Sequence, residues 1–86
     1  MAEISGGDGK SIEDAAVITH IDGMLDCIHA ENEFISNEFG PKNKTWHKMG
    51  RALLNHEDRR YDRIDVETPD GSRQFFFFDI TSFFND

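Results

Sequence analysis

The sequence predicts an α+β domain in which one main helix packs on a small antiparallel β-sheet, with elements in the order β-α-β-β-β. Three observations predict it: a stretch of helical periodicity closed by Gly40-Pro41, a Pro-Asp-Gly turn at 69 to 71 between two strand-forming runs, and the run Phe75 to Phe78 on the second arm of that hairpin. Residues 11–86 are read as the single domain and residues 1–10 as a flexible Gly-rich segment or a loop laid over the sheet, because Gly6, Gly7 and Gly9 stand among few apolar anchors.

Ser11 stands three residues before Asp14, a capping-box-like spacing that predicts one helical turn. Ala15 to Thr19 then favours a short strand. Asp22 and Gly23 open the helix. Met24, Ile28, Ile35 and Phe39, flanked by Leu25 and Phe34, form the expected buried stripe, against Asp26, Glu31, Glu33 and Glu38 on the expected wet face. Glycine can take the left-handed conformation that ends a helix and proline cannot continue its ladder, so the helix stops at Gly40-Pro41. Lys42 to Thr45 is a polar loop. Trp46 to Leu54 fits both a helical and an alternating pattern; Gly50 in its middle costs a helix about 1 kcal/mol, so a strand is favoured. His56 to Arg60 reads as a charged turn into the next strand.

Thr68-Pro69-Asp70-Gly71-Ser72 fixes the register of the final hairpin. With Thr68 opposite Ser72, Glu67 faces Arg73, Val66 faces Gln74, Ile64 faces Phe76, Asp62 faces Phe78 and Tyr61 faces Asp79. A hydrogen bond from the Tyr61 phenol to Asp79 is expected at the open end, followed by a last turn that carries Phe83 and Phe84. Ile64, Val66, Phe76, Phe78 and Ile80 then share the face beneath the helix. The opposite face carries Tyr61, Arg63, Asp65, Glu67, Arg73, Phe75 and Phe77. Two phenyl rings on a face that should be solvated call for a cover. Either Trp46, the N-terminal glycine-rich stretch or Ser82-Phe83-Phe84 folds over them, or they form an interface whose core is Tyr61, Arg63, Phe75 and Phe77.

Composition narrows the function classes. Seventeen acidic against nine basic residues give a net charge of −8, which repels phosphate backbones and anionic lipid, so neither nucleic acid nor a membrane is expected as a ligand. The same charge suits a basic protein partner. No apolar run approaches the roughly 20 residues that span a bilayer. The single cysteine, Cys27, cannot make an intrachain disulfide and the N-terminus lacks a signal-peptide pattern, so a cytoplasmic location is expected. The 37% hydrophobic content, with eight Phe, is too rich for a disordered chain. A core this small buries only about 60 to 65% of the unfolded surface, which makes self-association a natural supplement.

Chemistry-bearing motifs are weak. Gly9-Lys10-Ser11 resembles the end of a phosphate-binding loop, but Ile4 stands where the first glycine belongs. The histidines His20, His29, His47 and His56 form no i, i+4 pair and have no Cys-x-x-Cys companion, so no metal is expected. No catalytic or cofactor-binding set emerges. The rival to a binding protein is a small enzyme or ligand-binding protein with a pocket between helix and sheet that uses His29, Cys27 or His20.

Gly6-Gly7-Asp8-Gly9, Ala30-Glu31, Tyr61-Asp62, Asp70-Gly71 and Phe78-Asp79-Ile80-Thr81-Ser82-Phe83-Phe84 together resemble a group of short bacterial proteins, some of the kind carried on mobile gene cassettes. The resemblance spans nearly the whole chain and implies an accessory protein, with no activity and no site. The expectation is a non-enzymatic interaction protein that forms a homodimer, with an acidic inhibitor or immunity-type protein for a basic partner as its variant.

Overall fold

The computed structural model describes residues 1–84. Its strands are β1 (Glu3–Gly6), β2 (Ala16–Thr19), β3 (His47–His56), β4 (Arg59–Glu67) and β5 (Arg73–Asp79); its helices are α1 (Met24–Phe39) and α2 (Thr81–Phe84). The strands form one sheet in the order β1-β2-β5-β4-β3. The fold is α+β, as the periodicities predict.

The hairpin register is the one the turn dictates, from Glu67 opposite Arg73 to Tyr61 opposite Asp79. Gly71 takes φ 87° and the Thr68 N–H donates to Ser72 O at 2.9 Å. Asp70 Oδ1 accepts from Ser72 N at 3.0 Å and from the hydroxyls of Thr68 and Ser72, and these bonds hold its carboxyl down to about 2. The Trp46–Leu54 ambiguity resolves as a strand. β3 joins β4 through Glu57 and Asp58, which have φ 51° and 65°, the twist that a two-residue hairpin requires.

The sheet is mixed rather than purely antiparallel. β2 lies beside β5 in parallel, with Ala16 opposite Phe78 and Val17 opposite Asp79. α1 carries the chain from β2 across to the far edge at β3, and the β3-β4-β5 meander fills the space back to β2. A further strand precedes the expected five elements. Glu3–Gly6, placed by the sequence reading in a flexible segment, pairs antiparallel with β2 and so satisfies the backbone groups of that strand's free edge. The following loop packs at the margin of the helix, where the Phe77 N–H donates to Gly9 O at 2.7 Å and Lys10 Nζ meets Glu38 Oε2 at 2.8 Å.

The buried face of α1 also departs from expectation. Its centre is Cys27, Glu31 and Ile35, at i, i+4 and i+8, whereas Leu25 is 83% exposed and Met24 is also exposed. Phe34 meets Phe76 and Phe78 edge-on at centroid distances of 6.3 and 5.4 Å, and Phe39 meets Phe76 at 6.0 Å. Trp46 is fully buried under the end of α1, its indole N–H shared between Ser36 Oγ at 3.2 Å and Gly40 O at 3.0 Å. Gly40 closes the helix with φ 97° and donates its N–H to Ser36 O at 2.7 Å. Among the described residues, no helix is long and apolar enough to cross a membrane.

Candidate functional site

Side chains alternate across β4 and β5, so the register sends Tyr61, Arg63, Phe75 and Phe77 to the face away from α1. β3 extends that face with Gly50 beside Asp65, Ala52 beside Arg63 and Leu54 beside Tyr61. β2 adds Val17 beside Asp79. The four residues expected to form an interface are therefore brought together. Tyr61 is buried, Arg63 and Phe77 are half-buried, and the Phe75 ring is 47% exposed.

Arg63 organises this face. Its guanidinium carbon lies 4.6 Å from the Phe75 ring centroid, while Nε and Nη2 donate to Asp65 Oδ1 and Oδ2 at 2.9 and 3.4 Å. A methyl group at Gly50 would stand 3.3 Å from Asp65 Oδ2, so glycine there leaves room for the carboxylate to lie flat on the sheet. None of the three covers suggested by the sequence reaches Phe75. Trp46 is in the core on the helix side, and Gly9 packs against Phe34 and Phe76 on that same side. α2 follows Asp79, which lies about 13 Å along β5 from Phe75, and packs against β2 and β4.

The open end of the hairpin is bound differently from expectation. Tyr61 and Asp79 are opposite each other, but Asp79 takes its hydrogen bonds from Arg59 Nε at 2.5 Å, Thr81 N at 3.0 Å and Thr81 Oγ1 at 2.6 Å. The guanidinium and the local N–H outcompete the phenol for the carboxylate. Burial works against the charge on Asp79, yet these bonds outweigh it and hold its carboxyl below the usual range.

A second polar cluster lies on the helix side. Glu31 and Asp62 are both fully buried. Asp62 Oδ1 accepts from Arg51 Nε at 2.7 Å, but no donor among the described residues faces Asp62 Oδ2 or either Glu31 oxygen. The proton that satisfies this arrangement is one held by the pair itself, with Glu31 neutral and donating to Asp62. Burial, the hydrogen bond to Asp62 and the Asp62 charge push the Glu31 carboxyl up to about 9, against weaker pull from Arg51 and Lys48. Glu31 therefore lies inside and not on the wet face expected from its residue type. Its spacing from Cys27 and Ile35, and the parity of Asp62 with Ile64 and Val66, were the signals that locate both acids inside.

Cys27, His20 and His29 do not converge. The Cys27 thiol is buried in the core and pushed up to about 12, first by burial and then by the neighbouring acids, so it is held as a thiol. His29 lines a groove of about 360 Å³ between β1 and α1, and His20 lines a separate shallow depression with Glu3, Thr19 and Asp22. Among the described residues, no group of three or more His, Cys, Asp or Glu side chains is arranged to hold a metal ion. No family model, curated protein or solved structure matches this chain.

Proposed function

We propose that this chain is a non-enzymatic interaction protein that associates with a second copy of itself through the outer face of its sheet. The observation that supports the reading is the half-exposed Phe75 ring, stacked under Arg63 on the sheet face away from α1. Aromatic and arginine side chains are the groups most enriched at interface cores. The face suits a two-fold contact, because Arg63, Asp65, Glu67 and Arg73 carry both signs and an isologous copy can oppose each charge with its complement. A stable pair needs about 800 Å² from each partner, roughly 15% of the 5177 Å² surface. In this reading it is a cytoplasmic accessory protein of the bacterial, cassette-borne kind that its sequence resembles.

Light scattering across a dilution series tests the proposal directly. The wild type is expected at twice the chain mass, falling to one on dilution, and Phe75→Glu is expected as a folded monomer with an unchanged circular dichroism spectrum. Identical masses for wild type and Phe75→Glu would remove the outer face as the interface.

A further inference from the structure

A five-stranded sheet is about 19 Å wide between its edge-strand axes and a single helix is about 10 Å across, so α1 cannot cover both margins. At the β3 margin the chain defends itself. Lys48 and Arg51 project there and the register shifts between Lys48 and Gly50, devices that discourage another strand from pairing. β1 has neither a bulge nor a basic side chain. Its free edge runs beside the groove under α1, which has Ala2, Ile4, Ala30 and Phe34 as its apolar lining and Asp26 and Glu33 among its polar residues.

We infer that this groove takes an extended, basic segment of a partner protein, which adds to β1 as a sixth strand. Strand addition draws affinity from main-chain hydrogen bonds at a free edge and specificity from the surface under alternate side chains. The dimensions agree: the helix stripe that lines the groove, from Asp26 to Asn37, is about 16 Å long, the length of about five extended residues, and β1 itself has four. Apolar side chains of the segment would lie on Ile4, Ala30 and Phe34, with cationic ones reaching Glu33 and the acidic end of the groove. Asp26 marks that acidic end of the groove. The net charge of −8 would speed the approach of such a partner.

The probe is a capped heptapeptide of alternating valine and lysine, titrated into ¹⁵N-labelled protein and followed by amide chemical shifts. Expected are shifts on Glu3–Gly6 and along the groove side of α1, with affinity falling about tenfold between low and physiological salt. Peptides with glutamate for lysine, serine for valine, or N-methylated amides along one edge are expected to bind at least tenfold more weakly. Glu33→Lys should weaken binding about tenfold, Ala30→Arg should block it by filling the groove, and Phe75→Glu should leave it unchanged. Absence of shifts at millimolar peptide, equal binding of the N-methylated or glutamate peptide, or shifts centred on Phe75 would each overturn the inference. The insensitivity to Phe75→Glu separates its failure from failure of the self-association reading.

Discussion

Replacing Glu31 with Gln should make the protein more stable at neutral pH. In the folded chain Glu31 keeps its proton up to about 9, because it is buried and donates to Asp62. In the unfolded chain it releases that proton near the ordinary carboxyl value of 4.5. Between these values the folded state binds more protons than the unfolded state. Stability contributed by this group is therefore full below the unfolded value and is lost as pH rises toward the folded one, at about 1.4 kcal/mol per pH unit. From pH 5 to 7 the loss is about 2–3 kcal/mol, a large share of the stability of so small a domain. Gln preserves a donor for Asp62 Oδ2 and has no proton to lose, so its stability should be flat where the wild type declines. The assay is urea unfolding followed by circular dichroism at pH 5, 6, 7 and 8. The difference between the two chains cancels the titration of every other group. Parallel curves, or a Gln variant weaker by the same amount at every pH, would mean that Glu31 is ionised in the fold and paired with Arg51 or Lys48, and would refute the argument.

Other tests follow from the backbone and the core. Glu57 and Asp58 both hold positive φ, so the double replacement Glu57→Asn with Asp58→Gly should raise stability by about 1 kcal/mol, seen as a higher urea midpoint at unchanged slope; no rise would deny strain at this turn. Gly40→Ala puts a methyl 2.9 Å from Thr45 Oγ1 at φ 97°, and should cost about 1–2 kcal/mol, a fall in Tm of several degrees by calorimetry. Trp46→Phe removes the N–H shared by Ser36 Oγ and Gly40 O, and should cost about 1 kcal/mol more in urea unfolding than Ser36→Ala, which leaves the bond to Gly40 in place.

What could be read from the sequence was local chemistry. Pro69, Asp70 and Gly71 admit few backbone paths, and the whole β4–β5 register follows from them. Gly40-Pro41 leaves a helix nowhere to continue. From that register the segregation of Phe75 and Phe77 from Phe76 and Phe78 also followed, which is why the outer face was visible in advance. The missed features depend on residues far apart in the chain. Nothing in Glu3-Ile4-Ser5-Gly6 declares a strand until β2 offers an unpaired edge. The parallel contact of Ala16 with Phe78 has no local signature. Glu31 looked solvated because its partner, Asp62, lies on another element, and an acid becomes tolerable inside only when something nearby shares its proton. The same is true of Asp79, whose bonds depend on Arg59 and Thr81 being closer claimants than Tyr61.

The position of β5 has a consequence for how the molecule comes into being. The last strand of the sheet to be synthesised is the middle one of five, wedged between β2 and β4. Until Arg73–Asp79 has been made, the β1–β2 pair has no further strand to join and Phe34 has no Phe76 or Phe78 to meet. Closure of the sheet therefore has to wait for this strand, because the segments before it do not form a continuous sheet without it. With closure dependent on contacts between distant parts of the chain, assembly should start in the β3-β4-β5 meander and finish when the N-terminal strands dock against it.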